Sequence, residues 1–93
     1  MKLYIDIDYK DEEEMFGTIF SKPRKNEKEF YLRYNAKKQS ENVFILTLSV
    51  SQSGKKYVVT LEKGFDCNFS ARHILMYVNE RFEFFKKYFF EEM

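Results

Sequence analysis

The stretch SARHILMYVNERFEFFKKYFFEEM at residues 70–93 constrains the fold more than any other part of the chain. Its apolar side chains recur with the period of an α-helix and fall within one arc about 100° wide, which is typical of a core-facing stripe. Ser70 is a favourable N-cap, because its hydroxyl can accept from unpaired N–H groups of a first turn. We therefore predict one long helix over residues 71–91. The stripe consists of Ala71, Ile74, Leu75, Val78, Phe82, Phe85 and Phe89.

A second line of helical residues runs beside that stripe and is formed by Tyr77, Arg81, Phe84 and Tyr88. We call this set the helix line. Three aromatic rings there are more than one sheet requires as cover. The line either borders a wide core, with tyrosine hydroxyls at the water boundary, or forms a surface for a partner or a second copy of the chain. The sequence leaves both interpretations open.

Five segments ahead of the helix alternate apolar and polar side chains, as β-strands do. We predict strands over residues 2–9, 15–21, 29–35, 43–51 and 56–62, and we expect Gly17 to mark a bulge. The acidic run 11–14 cannot be buried and predicts a turn. The predicted inward side chains are Leu3, Ile5, Ile7 and Tyr9, then Phe30, Leu32 and Tyr34, then Phe44, Leu46, Leu48 and Val50, and finally Tyr57, Val59 and Leu61.

Short connections between these strands favour antiparallel neighbours, since parallel strands need crossovers of about a dozen residues. The sequence thus predicts a single α+β domain over residues 1–93, a five-stranded antiparallel β-meander packed against one long C-terminal α-helix (βββββα). One helix covers only one face of such a sheet. The other face would be more apolar than a monomer usually leaves exposed in one patch. It would carry Tyr4, Tyr31, Arg33, Val43, Ile45, Val58 and Thr60.

No group of residues indicates catalysis or a bound cofactor. One histidine, His73, and one cysteine, Cys67, form no nitrogen and sulfur ligand set, and a single cysteine cannot form an internal disulfide. We expect no enzymatic activity, no catalytic or metal-binding residues and no cofactor. Asp6 and Asp8 interrupt the segment where a signal peptide needs apolar residues, so we expect a cytoplasmic protein, of a bacterium or of a phage-infected host, that does not enter the membrane.

Charge is segregated along the chain although the net charge is only +1. Residues 1–21 are mainly acidic. Residues 22–63 are mainly basic. The two regions either lie side by side in the fold and neutralise each other, or the basic region contacts an anionic partner.

Our first functional hypothesis is a non-enzymatic interaction module that binds or occludes a protein partner, or forms a homodimer. Aromatic residues and arginine are enriched at the centres of protein interfaces. The Lys, Asn, Phe and Tyr-rich composition suits an accessory or inhibitor protein of a phage, a plasmid or an AT-rich bacterium. The candidate partner-binding residues are Tyr31, Arg33, Val43, Ile45, Tyr77, Arg81, Phe84 and Tyr88.

The alternative hypothesis is a domain that binds single-stranded nucleic acid, using aromatic stacking and phosphate neutralisation on the sheet. In its order of elements, a strand meander followed by a C-terminal helix, the chain resembles the Whirly and transcriptional-coactivator single-strand binders. That resemblance implies a sheet that serves as the DNA platform. The candidate residues are Arg24, Lys25, Lys28, Tyr31, Arg33, Lys37, Lys38, Lys55 and Lys56.

Overall fold

A computed structural model describes residues 2–26, 28–65 and 67–91, apart from the side chains of Cys67 and Asn68. Five strands, in the spatial order β1-β2-β3-β4-β5, form one antiparallel sheet, and two helices follow. The predicted α+β class and meander are confirmed. The elements are β1 (Leu3–Lys10), β2 (Glu14–Ser21), β3 (Tyr31–Ser40), β4 (Val43–Ser49), β5 (Lys56–Leu61), α1 (Cys67–Glu80) and α2 (Phe82–Phe90).

The core lies between the helices and one side of the sheet, which we call the inner face. Tyr34, Phe44 and Leu46 from the central strands are at most 2% exposed. Ile74 and Phe85 from the helices are fully buried against them. The predicted inward side chains of β3, β4 and β5 are confirmed, and so is the helical stripe: its other members are buried or half-buried.

The acidic run forms the turn between β1 and β2, as predicted. The carboxylate of Asp11 accepts hydrogen bonds from the N–H groups of Glu13 and Glu14, both at 2.8 Å. The Tyr9 hydroxyl donates to the same carboxylate at 2.6 Å. This hydrogen bond, together with the two backbone N–H groups, lowers the pKa of Asp11. The Asp11 side chain therefore stabilises the turn by accepting hydrogen bonds that a backbone carbonyl could otherwise accept.

A bulge in β1 reverses the side of the sheet that Tyr9 faces. Ile7 lies opposite Gly17, but the next paired residue is Tyr9, which lies opposite Phe16. The extra residue shifts the alternation, so Tyr9 faces the side away from the helices and the inward prediction for it is wrong. Gly17 is required there because a Cβ atom would collide with the carbonyl oxygen of Asp6. Thus the bulge falls opposite Gly17, in the neighbouring strand.

The prediction of one long helix is wrong, because the helix is interrupted at Arg81. The N–H of Arg81 bonds to the carbonyl of Val78 rather than to that of Tyr77. The Arg81 guanidinium donates to the Tyr77 carbonyl at 3.2 Å and lies over the Tyr77 ring. The Arg81 side chain thus supplies a donor to the Tyr77 carbonyl, which loses the Arg81 backbone N–H at the break. No proline or glycine marks this position in the sequence.

The predicted helix start is also wrong, since α1 begins at Cys67 and Ser70 lies inside it. Ser70 is fully buried, and its hydroxyl donates to the carbonyl of Gly64 at 3.2 Å. This hydrogen bond connects α1 to the segment that follows β5. Among the described residues, neither helix has the length and apolar run that crossing a bilayer requires.

Strand β3 extends further than predicted, to Ser40. Lys37 and Lys38, which the sequence places in a loop, are paired with Ile45 and Phe44 of β4. At this end of the strand Lys37 is exposed and Lys38 is half-buried. The predicted domain, residues 1–93, includes positions that lie outside the described residues. The Cys67 side chain also lies outside the described part of the chain.

Candidate functional site: the outer face of the sheet

The side of the sheet away from the helices is called the outer face here, and no described element covers it. Strand pairing places its side chains in rows that cross the sheet. Each row takes at most one residue from each strand because neighbouring strands pair residue by residue. The face comprises Tyr4, Asp6, Tyr9, Glu14, Phe16, Thr18, Phe20, Tyr31, Arg33, Asn35, Lys37, Val43, Ile45, Thr47, Ser49, Lys56, Val58 and Thr60.

One row near the start of β1 is made entirely of aromatic rings, and we call it the aromatic row: Tyr4, Phe20 and Tyr31. Phe20 lies opposite both other residues in the strand register. The rings of Tyr4 and Phe20 stack with centroids 5.7 Å apart, and Tyr31 is 42% exposed. The ammonium groups of Lys22 and Lys2 lie 4.5 Å and 5.4 Å from the centroid of the Tyr4 ring. The row combines flat apolar surface with cations at one end.

Another row, which lies two rows further along the sheet, adds more exposed apolar area. Tyr9 and Phe16 stack with centroids 5.3 Å apart, and Tyr9 is 45% exposed. Val58 at the other end of this row is 60% exposed. Val43 and Ile45 on β4 are half-buried on the same face. Apolar side chains therefore occur on all five strands of the outer face, although a polar row separates the two aromatic ones. That row consists of Asp6, Thr18, Arg33, Ser49 and Lys56.

Charges on the outer face are matched between its acidic and basic strands. The Arg33 guanidinium lies 3.7 Å from the Asp8 carboxylate, and the Lys37 ammonium lies 3.6 Å from that of Glu14. The Asn35 amide donates to the same Glu14 carboxylate at 3.1 Å. The acidic head of the chain and its basic middle thus lie side by side. These pairs are substantially exposed and bring little stability, but they reduce the positive potential of the sheet centre.

The helix line lies on the opposite side of the sheet, around Tyr57 of β5. Phe84 and Tyr88 contact the Tyr57 ring with centroids 5.6 Å and 5.8 Å apart. Phe84 is 50% exposed, and the Tyr88 hydroxyl donates to the carbonyl of Lys56 at 2.7 Å. Burial is the main cause that raises the pKa of Tyr77 to about 12. Both sequence interpretations apply in part, because Tyr77 borders the core whereas Phe84 is largely open.

The predicted partner-binding residues therefore belong to two surfaces. Tyr31, Arg33, Val43 and Ile45 share the outer face, whereas Tyr77, Arg81, Phe84 and Tyr88 follow the other side of the sheet near β5.

The basic residues of the nucleic-acid hypothesis are divided in the same way. Arg33, Lys37 and Lys56 lie on the outer face, but Lys38 is paired with Phe44 of the inner face. The Lys55 ammonium donates to the backbone carbonyl of Tyr88 on the helix side. Exposed residues of the connection between β2 and β3 supply the rest. These are Arg24, Lys25 and Lys28.

Two aromatic residues of the outer face, Phe16 and Phe20, are not among the predicted site residues. The prediction for Tyr9 is on the wrong side of the sheet. Phe16 and Phe20 alternate correctly in the sequence, but alternation alone does not state which side of β2 the helices cover. The strand register supplies that information. The lysines above Tyr4 also become apparent only when β1 and the end of β2 are brought together.

No group of three or more His, Cys, Asp or Glu side chains within the described part of the chain is arranged to hold a metal ion. The His73 ring bonds through Nδ1 to the carbonyl of Phe69, one helical turn earlier. Comparison with protein-family models, curated proteins and solved structures finds no match to this chain.

Proposed function

We propose that the protein is a non-enzymatic interaction module that binds a protein partner through the outer face of its sheet. The observation that carries the proposal is the open face itself, where aromatic and β-branched side chains lie on all five strands. Exposed apolar side chains grouped on one face are typical of binding surfaces. Tyr31, at 42% exposure, lies within the patch and offers both ring area and a hydroxyl.

The charges favour a protein over a nucleic acid as the main occupant. Arg33 and Lys37 would have to meet phosphates, yet each lies within 4 Å of a carboxylate. Carboxylates beside the binding cations repel a phosphate backbone, and nucleic-acid platforms carry a clear basic excess. A protein partner that offers both apolar side chains and charges of both signs fits this face better.

Photo-crosslinking from single positions tests the proposal. A benzoylphenylalanine residue replaces Tyr31 on the outer face, and the matched control replaces the exposed helical residue Glu83. In extract of the source cell we expect a discrete protein adduct from position 31 that is absent from position 83. A second substitution on the same face, Ile45→Glu, should abolish that adduct. Equal adducts from both positions, or none from position 31, would contradict the proposal.

A second candidate function has one observation in its favour. The aromatic row carries Lys2 and Lys22 over Tyr4, and the exposed Arg24 and Lys25 follow in the adjacent connection. Stacked bases and neutralised phosphates would suit that corner of the sheet. Titration of labelled single-stranded DNA at low salt tests it. Binding should weaken steeply with salt, and Tyr31→Ala should cost about 1–3 kcal/mol of binding free energy.

A further inference from the structure

The two edges of the sheet differ in how they are protected against pairing with another strand. At the β1 edge, Asp6 and Asp8 place carboxylates on the strand, and the bulge before Tyr9 twists it. Charges and bulges are the usual means of preventing edge-to-edge association. Strand β5 has no bulge, and its single charged residue is Lys56, the first of the strand. The residues that follow, Tyr57–Leu61 in the sequence YVVTL, include no charge, proline or glycine.

The backbone groups that β5 presents to its open edge follow from its pairing with β4. The N–H of Val50 bonds to the carbonyl of Lys55, so Lys55 faces β4. Successive residues of a strand alternate, and Lys56, Val58 and Thr60 therefore direct their backbone groups to the open edge. The bond from the Tyr88 hydroxyl to the Lys56 carbonyl agrees with this direction. A carbonyl has two lone pairs, so that bond still permits a second donor.

We propose that β5 pairs antiparallel with β5 of a second copy of the chain, which joins the two sheets into one. The two-fold axis runs perpendicular to the sheet and makes the contact self-complementary. Val58 supports this pairing, because it is an apolar residue on the edge strand and is nevertheless 60% exposed. Both outer faces then lie on the same side of the joined sheet. The proposal does not depend on what the outer face binds.

Charge pairs on the outer side of the sheet favour one register of this pairing. With Val59 opposite Val59 of the second copy, Lys56 lies opposite Glu62 of the second copy on the outer side. Val58 then lies opposite Thr60. Both charged residues are exposed, and the symmetry forms the pair twice. The same register places Lys55 opposite Lys63 of the second copy on the helix side, where the Lys55 ammonium is bonded to the carbonyl of Tyr88. With Val58 at the centre instead, Lys56 would face Thr60, and Glu62 would have no cation opposite it. On the charge pairs of the outer side we assign the register centred on Val59.

The helix line supplies the second layer of the contact. Phe84 and Tyr88 lie beside Tyr57, on the helix side of β5, so the joined sheet brings them toward their counterparts. A groove of about 500 Å³ lined by Lys55, Phe84, Lys87, Tyr88 and Glu91 borders the same strand. Its aromatic walls would be covered in the dimer. This accounts for the half-exposed ring of Phe84, which the monomer fold alone does not require.

A proline substitution on the open edge tests the strand pairing. Val58→Pro removes an N–H that faces away from β4, so the monomer keeps its own ladder while the second copy loses a donor. Sedimentation equilibrium of the wild type should give twice the monomer mass of 11.4 kDa. The variant should dissociate at least about a hundredfold more readily, whereas Val58→Thr, the matched control, should change dissociation by less than about fivefold.

Charge exchange tests the register and remains informative if the proline variant unfolds. Lys56→Glu should weaken the dimer about tenfold through repulsion by Glu62 of the second copy, and the double variant with Glu62→Lys should restore it. A monomeric wild type at high protein concentration would overturn the proposal. So would a dimer that neither Val58→Pro nor Lys56→Glu weakens, or a double variant that is no tighter than the single one. The crosslinking test of the outer face is read separately and is unaffected by these results.

Discussion

The two faces of the sheet carry similar kinds of side chain but differ in how far those side chains are buried. On the inner face Tyr34, Phe44 and Leu46 are almost completely buried. On the outer face Tyr9 and Tyr31 keep about two fifths of their surface in water. Burial of a large apolar side chain stabilises a fold by about 1.5–3 kcal/mol, so the inner face dominates stability. Aromatic character alone therefore does not identify a core residue, and the comparison predicts which substitutions unfold the chain.

The largest difference should appear between two adjacent rings of α2. Phe85 is fully buried against Tyr57 and Phe89, and Phe85→Ala should lower the free energy of unfolding by about 3–5 kcal/mol. Phe84 is 50% exposed, and Phe84→Ala should cost about 1 kcal/mol in the monomer. Urea denaturation at a concentration where the chain is monomeric measures both. Equal costs would show that the helix line belongs to the core.

An alkaline pH titration of stability should distinguish a buried tyrosine of the inner face. Burial, followed by the charges of Asp8 and Asp6, raises the pKa of Tyr34 to about 12, whereas an unfolded tyrosine ionises near pH 10. Its contribution to stability is therefore complete below about pH 10 and is lost as the pH rises to about 12. Tyr77 contributes in the same pH window, because its pKa is raised to about 12 as well.

Tyr34→Phe should flatten this alkaline loss of stability. At neutral pH it should also cost about 1 kcal/mol, because the Tyr34 hydroxyl donates to the Asp6 carbonyl at 2.9 Å. Denaturant midpoints measured between pH 8 and about pH 12 provide the test. An unchanged alkaline slope in the variant would mean that Tyr34 ionises freely and that the inner face is open to water.

The smallest effect is expected for the ion pair of the outer face. Arg33 and Asp8 are 44% and 49% exposed in their side chains, so each substitution to alanine should change stability by less than about 0.5–1 kcal/mol. A double-mutant cycle by thermal unfolding measures their coupling. A coupling free energy well above about 1 kcal/mol would place this pair in a water-excluded setting and contradict the open face.

The sequence predicts most of the inner face and little of the outer one, for a physical reason. Alternation in β3 and β4 identifies their core residues, because one side must be apolar when helices cover it. The bulge before Tyr9 depends on an extra residue that alternation cannot reveal. The helix break at Arg81 depends on a guanidinium that compensates the Tyr77 carbonyl, an interaction without a sequence signature.

The candidate site could be predicted only in part, since it is assembled from rows across strands. The alternation within β3 alone predicts that Tyr31 and Arg33 lie on the exposed side. Tyr4 and Phe20 join Tyr31 in one row through pairings between three strands, and their register is set by the bulge and the turns. Such rows require knowledge of neighbours distant in sequence.

Hydroxyl-radical footprinting of the free protein, read by mass spectrometry, tests most directly whether one face builds the fold while the other stays open. At a concentration where the chain is monomeric, Tyr9 and Tyr31 should be modified at rates close to those of unfolded tyrosines. Tyr34 and Phe44 should be protected at least about tenfold, as expected for side chains removed from water. Protection of Tyr9 and Tyr31 to the same degree as Tyr34 would contradict the account, because the outer face would then be covered within a single chain.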